Sequence, residues 1–191
     1  MVEEKTMKAE ERRLAAGEAM AEALELAGTL LEGVAEKIRS DRGRMVIRVK
    51  AADVPAAVRK LRDDGRLSYK YLSFVSAVDY GGRFEAVYIL RSADHPVAAE
   101  LRAALDGDDP VVPTVSDIFS TAGWHERETC DLLGIHFDGN QDLRRILTRD
   151  SFEGYPLRKD AKPVRQKRPE WKWEGITPPV RLPGEKSGGS P

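Results

Sequence analysis

The stretch YKYLSFVSAVDYGGRFEAVYILRS, residues 69–92, decides the fold. Its two halves are rich in Tyr, Val and Phe, side chains that fit a pleated, half-buried surface. Gly81-Gly82 stands between them, and glycine accepts the positive φ that a tight hairpin turn demands. The stretch therefore predicts a strand over 69–80, a turn, and a partner strand over 83–92.

Upstream, RMVIRVK (44–50) follows Gly43 and reads as another strand. Asp53 is placed to cap a helix running through Pro55 to Leu61, ahead of Gly65. Residues 19–39 are rich in Ala, Leu and Glu, and Met20, Leu24, Ala27, Leu31, Val34 and Ile38 recur at spacings of four and three. That spacing lays one apolar stripe along a helix over 19–39, packed on its own domain or on a partner. Residues 1–18 are polar and charged and are expected to fray as a flexible N-terminal extension.

Downstream, PVAAELRAALD (96–106) has helical composition but alternates, with Val97, Ala99, Leu101, Ala103 and Leu105 on one side. Context overrides propensity readily in sheets, so a half-buried strand is the reading taken. A loop over 106–113 comes next. Thr114-x-x-Asp117 resembles a capping box that starts a helix at about 115, interrupted at Gly123 and continued from Trp124 to Leu133. Gly134 stops it, and Ile135 onward reads as loop and extended chain. Residues 161–191 hold six prolines, Trp171 and Trp173. Alone, that segment buries too little to fold, so its tryptophans point to a partner's surface.

The whole chain excludes several classes. Its 191 residues suit one domain with tails, since a domain commonly runs to roughly 100–200 residues. A net charge of -1 gives no global bias toward nucleic acid or anionic membrane. Mean hydropathy is -0.47, and no apolar run approaches the roughly 20 residues of a spanning helix, so no direct membrane span is expected. One cysteine, Cys130, rules out an internal disulfide and a multi-cysteine metal site, and fits a reducing compartment. No apolar leader and no transit-peptide composition is visible at the N-terminus.

The densest chemistry lies in WHERETCDLLGIHFDGNQDLRRIL (124–147). On a helix, Trp124, Glu128 and Asp131 share one face, and Glu126, Cys130 and Leu133 another. Three roles compete. His125, Glu128 and Cys130 diverge around the helix and suit a metal poorly, and the two-histidine protease motif is absent. Glu126 or Glu128 could act as an acid or base if a pocket shifted its pKa. Cys130 sits near a helix C-terminus, where the dipole disfavours a thiolate nucleophile. The third role is ionic: partly buried pairs that set a geometry or an interface. Arg144 and Arg145 suit carboxylates, and no glycine-rich cradle beside them suggests phosphate.

The residues also match a known pattern. Glu126-Arg127-Glu128, Asp131-Leu132-Leu133-Gly134-Ile135, Asp142 to Thr148 and Phe152 to Asp160 closely resemble the respiratory complex I 30-kDa subunit family, which in bacteria supplies the C subunit of NADH-quinone oxidoreductases. VPTVSDIFSTAGW (112–124), VDY (78–80) and FEAVYIL (84–90) fit as well, and the resemblance spans about residues 20–162. It implies an α+β fold, a small, mostly antiparallel sheet packed with helices over 19–160, followed by an extended C-terminal tail over 161–191 that binds a partner. It supports the strand over 97–105.

It also implies a non-catalytic scaffold with no cofactor or metal in this chain; FMN, iron–sulfur clusters and quinone belong to partner subunits. The chain would sit peripherally on the cytoplasmic side of a bacterial or archaeal membrane. Its expected partners are the quinone-site subunit that resembles a nickel–iron hydrogenase large subunit, and neighbouring iron–sulfur subunits. Related complexes driven by hydrogen, reduced F420 or ferredoxin use a similar subunit. The implied interface residues are Glu126, Arg127, Glu128, Asp131, Asp142, Arg144, Arg145, Arg158, Lys159, Asp160, Trp171 and Trp173. Asn140-Gln141 and Tyr155 depart from the family's usual His-Pro and His.

Overall fold

A computed structural model describes residues 2–161. Helix α1 spans Val2–Leu30, followed by strands β1 (Ala35–Asp41) and β2 (Arg44–Lys50), helix α2 (Val54–Asp63), and strands β3 (Tyr71–Asp79), β4 (Arg83–Arg91) and β5 (Ala98–Asp106). Two short strands, β6 (Val111–Pro113) and β7 (His136–Asp138), flank helix α3 (Ala122–Leu133). The predicted tail, with Trp171 and Trp173, lies outside the described residues apart from Ala161.

The five long strands form one sheet in the order β1-β2-β5-β4-β3. Only the β2–β5 pair is parallel; the other three are antiparallel. The expected mostly antiparallel α+β fold is therefore present. Cross-strand partners project to the same face. One face carries rows such as Ile47, Leu101 and Tyr88, and Val49, Ala103 and Ala86. Onto that face pack Ala23 and Ala27 of α1, Leu31 in the turn after it, Val54, Ala57, Val58 and Leu61 of α2, and Ala122 and Leu133 of α3, all in one buried cluster.

Four expectations are corrected. The predicted 19–39 helix ends at Leu30, and Ala35–Asp41 is a strand paired with β2. Val34, in the turn after the helix, and Ile38, in the strand, stand four apart and so continue the helical spacing across the break. A bulge between Ala35 and Lys37 further breaks the strand's own alternation. The helical backbone also runs back to Val2, through the stretch expected to fray. Asp53 precedes α2 as expected but makes no side-chain cap; a short 3-10 turn leads into the helix instead. Finally, Thr114–Thr121 is a turn, not a helix, so α3 begins at Ala122 and contains Gly123 rather than being broken by it.

Gly81 (φ 74°) and Gly82 (φ 100°) form the β3–β4 turn as read from the sequence. That turn presses on Gly107, where an added Cβ would lie 2.1 Å from the Gly82 carbonyl oxygen. Backbone cannot yield as a flexible side chain can. Gly107→Ala should therefore destabilise the chain by about 1–3 kcal/mol in urea denaturation. Gly65→Ala, with nothing within 4 Å of the new methyl, should change stability by less than about 0.5 kcal/mol.

Candidate functional site: two buried carboxylates and a strap

α3 stops at Gly134, whose left-handed backbone (φ 71°) turns the chain back as its N–H donates to the Cys130 carbonyl. After β7, residues 139–161 form no regular element and run as a strap across the outside of α3. Such a segment needs partners for its own polar backbone groups. The clustered charges of residues 124–160 provide many of them.

Asp131, with a side chain 0% exposed, is the central acceptor. One carboxylate oxygen takes the consecutive amides of Ile146 (3.0 Å), Leu147 (2.8 Å) and Thr148 (2.9 Å). The other takes the Thr148 hydroxyl and the Arg145 guanidinium (2.9 Å). Burial opposes ionisation, but the Thr148 hydroxyl and the three amides outweigh it and hold the Asp131 carboxyl well below the usual carboxylate range. Arg145 also donates to the Thr148 hydroxyl (2.7 Å) and to the carbonyls of Phe152 (3.1 Å) and Gly154 (3.3 Å).

Glu126, one turn earlier and fully buried, holds a different junction. It accepts from the Thr114 hydroxyl (2.5 Å), the Val115 amide (2.8 Å) and the Asn140 side-chain amide (2.7 Å). Every one of these donors is neutral, so Glu126 is not the salt-bridge partner that the sequence suggested. It ties the turn before α3 to the start of the strap. Asn140, a departure from the family pattern, is one of its donors.

Arginines close the rest. Arg127 donates to the Arg144 carbonyl and, at 2.8 Å, to the Arg145 carbonyl, with Asp142 at 3.5 Å. Arg158 donates to the Leu133 (2.6 Å) and Gly134 (3.3 Å) carbonyls, where α3 leaves acceptors unsatisfied. Its guanidinium lies 5.1 Å from the Phe84 ring centroid and 4.6 Å from that of Tyr155. Tyr155, the second departure, abuts Gly134: a Cβ there would meet its ring at 2.4 Å. The backbone N–H of Lys159 finishes the strap on Asp79 (2.8 Å).

The predicted residues thus separate into two groups. Glu126, Asp131, Arg127, Arg145 and Arg158 turn inward and bond within the chain. Glu128, Arg144, Lys159 and Asp160 are exposed, and Asp142 is half-buried. Asp131 does not share the exposure of Trp124 and Glu128, as a common helix face had implied, because the strap covers its side of α3. Arg144 and Arg145 are not a matched pair either. Arg144 has an 81% exposed side chain and holds only Asp142 among the described residues. Sequence reasoning missed Thr114, Thr148 and Asn140 as donors; their sole signal was small polar side chains one loop away from a carboxylate.

A groove of about 350 Å³ lies between β3 and α3, with His125 and Glu128 beside Phe74, Val75, Leu132 and Leu157. Thr129, also in its wall, donates to the His125 carbonyl (2.8 Å). Burial pushes the Cys130 thiol up, away from the thiolate a nucleophile needs. Among the described residues no group of three or more His, Cys, Asp or Glu converges to hold a metal. No helix there is long and apolar enough to cross a membrane.

Asp131→Asn puts an amide where five donors converge. It should lower stability by about 3–5 kcal/mol and open residues 140–161 to limited proteolysis at pH 7. A carboxyl held low in the fold contributes fully above the unfolded value of about 3.9, and that contribution fades as pH falls below it. The gap between wild type and variant should therefore begin to narrow only as pH falls below about 4 and keep narrowing as it falls further. Arg144→Ala should stay within about 0.5 kcal/mol of wild type.

Residues 47–167, which include most of the sheet, α3 and the strap, match the family described as respiratory-chain NADH dehydrogenase, 30 Kd subunit. The NADH-quinone oxidoreductase C subunit from Salinispora arenicola is 39% identical over 166 residues, 85% of this chain and 67% of its own length. Its counterpart from Acidithiobacillus ferrooxidans is 43% identical over 129 residues, 63% of this chain and 64% of its own. The chain thus spans about two thirds of the length of these relatives. A chain of the membrane-bound sulfane sulfur reductase, an archaeal respiratory membrane complex, superposes with a TM-score of 0.63 at 29% identity, covering 75% of this chain and 87% of that one. By this match, whose span includes the strap, the chain belongs to the respiratory-chain NADH dehydrogenase 30 kDa subunit family.

Proposed function

We propose that the chain is a non-catalytic scaffold subunit in the hydrophilic arm of a proton-translocating NADH-quinone oxidoreductase. One observation carries this reading: the densest chemistry in the chain is committed internally. Glu126 and Asp131 are buried and bonded to hydroxyl, amide and guanidinium donors that fix the strap on α3. A general base must reach a substrate proton, and neither carboxylate faces solvent. The chain then contributes shape, and electron transfer through flavin, iron–sulfur clusters and quinone falls to partner subunits.

In this reading it docks on the hydrogenase-large-subunit-like subunit beside the quinone site, with iron–sulfur subunits as neighbours, on the cytoplasmic side of the membrane. The exposed Glu128, Arg144, Lys159 and Asp160, and the tail with Trp171 and Trp173, would serve that docking. The likeness to a chain of the sulfane sulfur reductase complex favours a second reading, in which the chain plays the same part in a complex with a different electron donor or acceptor.

A tagged copy should be recovered from gently solubilised membranes and its companions identified by mass spectrometry. The expected result is a hydrogenase-like large subunit together with flavin and iron–sulfur subunits, and NADH-driven quinone reduction by the recovered assembly. Recovery with iron–sulfur subunits but no flavin subunit would favour the second reading. A chain that emerges alone, with turnover of its own, would overturn both.

A further inference from the structure

Among the described residues, helices and strap cover one face of the sheet. The other face carries Val46, Val87 and Ile89, which are buried yet stand apart from the main core cluster. Glu85 and Glu100, 5% and 4% exposed, lie among them in a ladder of ion pairs. Arg102 bridges both carboxylates, Arg44 holds Glu100 at 2.8 Å, and Arg48 holds Glu85 at 3.1 Å.

The ladder draws the carboxylates inward and leaves cations outward. The side chains of Arg44 and Arg48 remain about half exposed (53% and 50%), each with one bonded nitrogen among the described residues. A guanidinium has five N–H donors, so both half-exposed arginines retain further donors. Strand register places Lys37, Arg39 and Lys50 on the same face with Asp41, and Glu36 sits in the bulge beside Lys37. The whole chain has a net charge of -1, so this face concentrates positive charge. Beside it, β3 and the following turn expose Tyr71, Phe74, Val78 and Tyr80. Arginine with exposed aromatic side chains is the composition of a protein interface core. A lipid surface is met instead by flexible lysine-rich segments.

We propose that this sheet face, uncovered among the described residues, is a docking surface for another subunit of the same assembly, which presents carboxylate side chains to Arg44 and Arg48 and an apolar segment to Tyr71 and Val78. The assignment rests on the scaffold reading and adds a second interface to it, on the opposite side of the sheet from α3.

The test is amine footprinting of the purified assembly. Lys37 and Lys50 should react with a water-soluble acylating reagent on the order of tenfold more slowly than Lys60, an exposed lysine of α2 on the helix side. Zero-length carboxyl–amine coupling should join them to Asp or Glu of a different subunit. As a second measure, Lys37→Glu with Lys50→Glu should leave the melting temperature of the chain unchanged while its recovery in the assembly falls; the matched pair Arg66→Glu with Arg149→Glu should not reduce recovery. The assignment is wrong if Lys37 and Lys50 react as fast as Lys60. It is equally wrong if their protection disappears on delipidation, or if coupling joins two copies of this chain. Should the chain co-purify with its complex while both lysines stay reactive, only this surface falls; should it never enter a complex, the scaffold reading falls with it.

Discussion

The path of residues 139–161 depends on one carboxylate. Asp131 gathers three consecutive amides, a hydroxyl and a guanidinium into a site closed to solvent. Without it, Ile146, Leu147 and Thr148 would each need another acceptor in a stretch with no helix or strand to supply one. Burying a charge is costly unless it is well bonded, and this one has five donors. The arrangement therefore defines a geometry as well as adding stability. Glu126 repeats the principle one turn away with neutral donors, and Arg158 repeats it in reverse, bringing a cation to the bare carbonyls at the end of α3.

These contacts connect parts of the chain that the sheet alone does not. The five-stranded sheet with α1 and α2 forms the bulk of the core. α3 lies along edge strand β3, where the Thr129 hydroxyl approaches the Val75 carbonyl (3.4 Å). The strap returns from α3 to the sheet through Arg158 beside Phe84 and Lys159 on Asp79. Backbone donors hold the Asp79 carboxyl low, first the Lys159 amide and then that of Gly81, so the same carboxylate fixes the hairpin turn and the end of the strap. Strand, helix and strap thus set one another's positions.

Most of the sheet was legible in the sequence because β3 and β4 are rich in β-branched and aromatic residues, β5 alternates, and a Gly-Gly turn announces its own conformation. β1 was not, since Val34 in the turn and Ile38 in the strand stand four apart and so prolong the stripe of a genuine helix. The α3 start was misplaced because Thr114 looked like a helix cap. Its hydroxyl instead accepts from the Ser116 amide and serves Glu126 twelve residues away. The candidate cluster was found by its charge density and family resemblance, but its direction was hidden. Which of Glu126, Glu128 and Asp131 faces inward depends on where the strap lies, and a strap without periodicity leaves no local signal. Likewise, the ladder of Glu85, Glu100 and Arg102 reads as ordinary solvated alternation until strand register brings the three together.

The central claim is that the charges of residues 126–158 build the chain first and present a surface second. Amide hydrogen exchange at Ile146, Leu147 and Thr148 tests it most directly, measured in the isolated full chain and again in the assembled complex. The account predicts slow exchange at all three amides in the isolated chain, little changed by assembly, because their acceptor is Asp131 of the same molecule. Free exchange in the isolated chain, with protection gained only on assembly, would contradict it and return Asp131 and Arg145 to a partner's surface.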